Sequence, residues 1–172
     1  PDYLMVPKEQ ENEIVAGLQK SVSVMYPTLL DNPDYTSVIN ARHRDRLNSY
    51  LDDAREKGGE IVEVNPSNED FSASNGNKMP LYLVRNPTDD MKVMQEEIFG
   101  PVASIIPFDT EDEAIRIAND SIYGLAGNVM SSSLEHALAV ARILLPVVNS
   151  LTIGQAAACM PPITERDRKS VV

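Results

Sequence analysis

The stretch Val102-Ala103-Ser104-Ile105-Ile106, followed by Thr110-Glu111-Asp112-Glu113 and then by Gly124 to Met130, decides the fold class. Its first five residues read as an apolar strand. Thr110 with Glu113 has the spacing of a capping box ahead of Ala114, Ile117 and Ala118, so a helix follows. Gly124 to Met130 returns as a strand. A second capping box, Ser132 with Glu135, precedes Leu134, Leu138, Ala141 and Leu145 at helical spacing; Pro146 stops that helix and Val147-Val148 reads as one more strand. Strands that alternate with helices of about 10–15 residues require crossover connections. The expectation is an α/β fold, a mostly parallel sheet with flanking helices.

The upstream half extends the pattern. Tyr3 to Val6 reads as a buried strand, and Pro7 opens a helix whose acidic Glu9, Glu11 and Glu13 suit the positive end of the helix dipole. Ile14, Leu18, Val22 and Met25 repeat at helical spacing until Pro27. Residues 28–36 read as a connection. A second helix is expected from about Asn40 to Lys57, with Leu47, Tyr50, Leu51 and Ala54 on one face and Gly58-Gly59 as its left-handed cap. Ile61 to Val64 and Leu81 to Val84 read as strands. Residues 65–79, rich in Asn and Ser, read as an exposed excursion, and Thr88-Asp89-Asp90 as the cap of a short helix through Gln95. Residues 1–149 form the structured block. Residues 150–172 form an atypical tail, expected to be unstructured or truncated.

The 172 residues carry 15 Lys and Arg against 26 Asp and Glu, a formal net charge of −11, which argues against a phosphate-tracking surface and hence against nucleic acid. No apolar run approaches the roughly 20 residues that span a bilayer, and the N-terminus lacks the layout of a secretory signal. The single cysteine, Cys159, excludes an internal disulfide framework and a multi-thiolate metal site, so a reducing compartment, the cytoplasm, is the default. Pro1 is not an initiator methionine and a strand begins almost at once, so the chain is expected to be cut from something larger.

Most chemical motifs are missing. The eight glycines form neither G-x-G-x-x-G nor a Walker-type loop, and no G-x-S-x-G elbow occurs. His43 and His136 fall in expected helices, stand beside no nucleophile or second ligand, and are read as exposed helical histidines. Cys159 has no histidine near it in sequence and is read as an incidental thiol. The informative segment is Gln95-Glu96-Glu97-Ile98-Phe99-Gly100-Pro101-Val102. A carboxylate before a tight turn at a strand's start can accept hydrogen bonds from the paired hydroxyls of a sugar, and the nearby aromatic can pack against the ring system that the sugar carries. On residue types alone, two glutamates ending a helix and a core Phe99 are the favoured explanation of the segment.

Glu96-Glu97-Ile98-Phe99-Gly100-Pro101-Val102 resembles the signature of the NAD(P)-dependent aldehyde dehydrogenases. The blocks Asp89 to Gln95, Asp120 to Ala126, Asp52 to Gly58 and the opening Pro1-Asp2-Tyr3 with Val6-Pro7 are similar to that family as well. The resemblance runs from Pro1 to about Asn149 and is closest to the coniferyl-aldehyde-dehydrogenase-like branch. It implies the catalytic-domain portion of a cytoplasmic, homo-oligomeric enzyme that oxidises a small aldehyde to the acid with NAD or NADP. In that family a cysteine thiolate adds to the carbonyl, hydride passes to the nicotinamide, and a glutamate-activated water releases the acid. By the match Glu97 binds the nicotinamide ribose hydroxyls and Phe99 packs beside that ribose.

No catalytic residue and no metal ligand carries over. The family's cofactor domain, nucleophile and general base all precede the residue that matches Pro1, and Gly154-Gln155 stands at the wrong spacing from Cys159 to mimic the family's Gly-Gln-x-Cys. The chain alone is therefore expected to be inactive, to leave most cofactor binding to a domain it lacks, and to expose apolar surface where that domain would sit. A non-catalytic binding or scaffold module that kept the fold is the alternative.

Overall fold

A computed structural model describes residues 2–73, 76–124, 126–144 and 150–154. The chain falls into two compact units, Pro1–Pro107 and Phe108–Val172. The first carries strand β1 (Tyr3–Pro7), helices α1 (Glu11–Met25) and α2 (Ala41–Glu56), strands β2 (Glu60–Val64) and β3 (Leu81–Arg85), the single-turn helix α3 (Lys92–Gln95) and all but the last residue of strand β4 (Val102–Phe108). The sheet order is β1-β4-β3-β2. β3 and β4 run parallel, with Leu83 opposite Ala103, and β2 pairs antiparallel to β3, with Val62 opposite Leu83.

The side-chain alternation of the strands divides the core. Val84 and Val102 are buried with Leu47, Tyr50, Leu51 and Ala54 of α2, whereas Leu83, Ala103 and Ile105 are buried with Val15 and Val22 of α1. The sheet thus has helices on both faces, which is why β3 and β4 read as continuous apolar runs. Burial of each Val, Leu or Ile side chain among these contributes about 1.5–3 kcal/mol. The apolar face expected of α2 is the one observed, Asn40 caps it by accepting from the His43 amide at 3.0 Å, and Gly58 takes φ +88° just beyond it.

Several local expectations are corrected. A 3₁₀ turn, Lys8–Gln10, precedes α1, and the buried positions of α1 are Glu11, Val15 and Val22, while Met25 is exposed. Glu11 is not a solvated end charge: its carboxylate accepts from Arg85 Nε at 2.6 Å. Thr88 does not cap α3. The Lys92 amide donates instead to Asp53 Oδ2 of α2 at 2.8 Å, and that bond, with the Lys57 ammonium next, holds the Asp53 carboxyl below the usual carboxylate range.

The excursion over 65–79 is braced rather than free. The Glu69 carboxylate accepts from the Leu29 and Leu30 amides at 2.5 and 3.2 Å. Lys78 Nζ donates to the Leu29, Leu30 and Asn32 carbonyls at 3.1, 2.9 and 2.5 Å. Leu29 is consequently fully buried and Met79 nearly so.

The second unit contains α4 (Glu111–Asn119), β5 (Ala126–Met130), α5 (Leu134–Leu144) and β6 (Ser150–Gly154). β5 and β6 pair in parallel, Gly127 opposite Leu151, across the crossover helix α5. Thr110 caps α4 as expected, while the Glu113 carboxylate reaches one residue further, to the Asp109 amide. Ser133, not Ser132, caps α5 by accepting from the His136 amide. His136 bonds Glu111 through Nε2 and lies 3.3 Å from Ser131 Oγ through Nδ1, so it is exposed but engaged. The expected strand Val147-Val148, Pro146, Asn149, Cys159 and the tail beyond Gly154 lie outside the described residues; a strand nevertheless occupies 150–154.

Candidate functional site

The Glu-Glu-Ile-Phe-Gly-Pro segment joins α3 to β4. Ile98 is fully buried against the α2 face, which leaves its neighbours Glu97 and Phe99 exposed. The Glu97 carboxylate takes part in no hydrogen bond or ion pair among the described residues, so its acceptor oxygens are available. Phe99 is 77% exposed and has φ +52°, a left-handed backbone that is rare for an aromatic residue. Gly100 follows because Leu47 occupies the space of a side chain there. The segment then enters β4 through Pro101, whose carbonyl accepts from the Tyr82 amide at 2.9 Å.

Arg46 of α2 grips this segment from the helix side. Its Nη1 donates to the Glu97 carbonyl at 3.1 Å and to the Tyr50 hydroxyl at 3.0 Å, and Nη2 donates to the Ile98 carbonyl at 2.6 Å. The guanidinium also lies 5.0 Å from the centroid of the Tyr50 ring.

Beside the segment is a groove of about 540 Å³. Phe99, Gly100 and Pro101 of the segment line it together with Tyr26, Tyr35, the run 36–39 and His43. Tyr26 and Tyr35 meet edge to face with centroids 5.3 Å apart, and the Tyr35 hydroxyl donates to the Met79 carbonyl at 2.9 Å. Burial, then the neighbouring Tyr26 and Tyr82, pushes the Tyr35 phenol up to about 12. It is neutral at physiological pH. The groove is therefore aromatic and largely uncharged, with a carboxylate close by in sequence.

Of the two residues singled out from sequence, Phe99 lines the groove and Glu97 does not, although both stand on the same segment. His43, expected from sequence to be an exposed helical histidine, is half-buried and lines the same groove as Phe99. Its signal was its position: it lies one turn before Leu47 on the face that continues through Tyr50, Leu51 and Ala54. Among the described residues no three His, Cys, Asp or Glu side chains gather as a metal site, and no helix is long and apolar enough to cross a membrane.

Comparison with known proteins accords with this geometry. The model of the aldehyde dehydrogenase family matches residues 2–155. A coniferyl aldehyde dehydrogenase of Pseudomonas sp. is 46% identical over 126 residues, which is 73% of this chain and 26% of the relative. Among solved structures, the betaine aldehyde dehydrogenase of Staphylococcus aureus in complex with NAD+ superposes with a TM-score of 0.76 at 31% identity, over 90% of this chain and 31% of that one. The aldehyde dehydrogenase of Mycobacterium tuberculosis complexed with NAD+ gives 0.74 at 29%, over 89% and 31%. The chain spans about a quarter of the length of the curated relatives it matches. The family model over residues 2–155 and the likeness in fold agree: the chain belongs to the aldehyde dehydrogenase family.

Proposed function

We propose that this chain presents Glu97 and Phe99 to the nicotinamide ribose of NAD(P) within a longer enzyme that oxidises aldehydes to carboxylic acids. The observation that carries the reading is the mounting of the segment: buried Ile98 holds outward, on either side of it, an exposed ring and a carboxylate that has no partner among the described residues, and that ring lines an aromatic groove. These residues fit the group. A free carboxylate is the acceptor that paired ribose hydroxyls require, and a largely apolar groove excludes water from the ring they carry. When bound, the nicotinamide supplies the hydride acceptor. Glu97 then orients the ribose, Phe99 limits its sliding, and His43 contributes to the groove lining. Holding reactants in a near-attack geometry is worth orders of magnitude in rate, so the role of these residues is placement.

Aldehyde oxidation is a property of the longer protein on this reading. No residue of this chain is assigned as nucleophile, and the chain alone does not turn over. Likeness to a coniferyl aldehyde dehydrogenase favours a conjugated aromatic aldehyde as substrate, and the NAD+ complexes among the structural neighbours favour NAD. A cytoplasmic site suits a chain with one cysteine. Val24 and Met25, both exposed at the end of α1, offer apolar surface to a partner subunit or domain.

Glu97→Gln in the longer protein tests the reading. Single-turnover hydride transfer is expected to slow by about 10–100-fold, the equivalent of one charged hydrogen bond, with a smaller change in dinucleotide affinity. An unchanged transfer rate overturns it. The isolated chain should show negligible affinity for NAD, and tight binding would count against the division of labour.

A further inference from the structure

We propose that Arg46 is a positioning residue for the cofactor-facing segment, acting through the backbone on which Glu97 and Phe99 are mounted. The inference rests on the reading of that segment given above. Arg46 does not line the groove. It donates to two successive carbonyls, those of Glu97 and Ile98, at 3.1 and 2.6 Å. Both peptide groups lie between α3 and β4, where no ladder hydrogen bond holds them. A planar guanidinium presents donors on separate nitrogens in a rigid fork that spans the two carbonyls, whereas the donors of an ammonium all radiate from one atom at the end of a flexible stem.

The clamp is itself oriented. Tyr50 lies one turn along α2, takes a third Arg46 hydrogen bond on its hydroxyl at 3.0 Å and has the guanidinium 5.0 Å from its ring centroid. Tyr50 is 5% exposed and packs with Ile98 in the core, so the clamp is anchored to the packing that buries Ile98. On the other side of Phe99, Gly100 is pressed against Leu47, again of α2. The segment is pinned at 97 and 98 by Arg46 and at 100 by Leu47. Phe99, with φ +52°, is caught between the two pins. Relaxing that dihedral would turn the 98–99 peptide, and the Ile98 carbonyl could not turn without leaving Arg46. Arg46 thereby holds the Phe99 ring in a conformation its backbone disfavours.

The test uses the longer protein with 4-fluorophenylalanine in place of Phe99, so that fluorine NMR reads the segment without any cofactor. The parent is expected to give one narrow resonance. Arg46→Lys and Arg46→Met should split or broaden it, and Tyr50→Phe should do so less. In unlabelled protein, Arg46→Lys should slow hydride transfer by about tenfold or more while dinucleotide affinity falls by less than about threefold, because misplacement costs rate more than binding. A merely structural arginine would lower thermal stability and leave both the resonance and this split unchanged. If Arg46→Met does not fold, Arg46→Lys decides. A position-99 resonance unaltered in a folded Arg46 variant overturns the proposal. Failure of the underlying reading looks different: the parent resonance would not respond to NAD, while the cofactor-free spectra would still report on Arg46.

Discussion

Leu47 stands where a side chain on Gly100 would go. A Cβ placed on Gly100 falls 2.4 Å from Leu47 Cδ1 and 2.8 Å from Cδ2, and Leu47 is fully buried, so it has nowhere to turn. The glycine that follows Phe99 is therefore a packing requirement set by α2. Gly100→Ala is expected to destabilise the protein by about 1–3 kcal/mol through overpacking, measured by urea unfolding. Leu47→Ala alone should cost about 2–5 kcal/mol. The double variant should be more stable than the sum implies, because the new methyl fills part of the cavity. Strict additivity would show that the two positions do not compete for space.

Phe99 makes a second expectation sharp. With φ +52° and the residue 77% exposed, it carries a strained backbone and gains little from burial. Phe99→Gly should stabilise the fold by about 0.5–1 kcal/mol, the left-handed penalty less the extra entropy of glycine in the unfolded chain. The same change removes the ring from the groove lining and, in the longer protein, should weaken dinucleotide binding. Stability and ligand affinity moving in opposite directions is the signature sought. A loss of stability in denaturant would mean that the dihedral carries no strain.

The brace over 65–79 predicts a local effect. Glu69→Ala leaves the buried Leu29 amide without its acceptor and should cost about 1.5–3 kcal/mol, the range for hydrogen bonds to a charged group. Amide hydrogen exchange should show Leu29 and Leu30 losing protection well before the α2 amides do. Lys78→Met should expose the same pair of residues through the loss of its three carbonyl contacts. Unchanged protection at Leu29 in both variants would remove the brace from the account.

Tyr35 sets an alkaline limit. Its folded phenol lies at about 12, above the ordinary value near 10. The folded value is the higher one, so its contribution is complete below about pH 10 and is lost as pH rises towards 12. Tyr35→Phe should flatten that limb of the stability–pH curve and remove the latest step of the ultraviolet phenolate titration. At neutral pH it should cost about 1 kcal/mol, for the hydrogen bond to the Met79 carbonyl. An alkaline limb identical to the parent's would assign the effect to other tyrosines.

Much of this molecule could be read along the chain. The buried face Leu47, Tyr50, Leu51 and Ala54, the left-handed Gly58, and strands β3 and β4 all follow from patterns within one element. The segment Glu97 to Phe99 was legible for another reason, a resemblance of its residue string to a family. Neither kind of signal reaches across the fold. Asp53 capping α3 in place of Thr88, Glu69 and Lys78 holding residues 29–32, and His43 sharing a groove with Phe99 join residues about 40 or more positions apart.

The physical division is between faces and encounters. Periodicity reports which side of a helix or strand leaves water, because burial repeats at the pitch of the element itself. The sequence alone therefore determined strands β3 and β4 and the face of α2 that packs on them. A polar contact such as Arg46 on the Glu97 and Ile98 carbonyls has no period. It exists because α2 and the turn before β4 reach the same place once the sheet has formed, and only the tertiary structure could decide that.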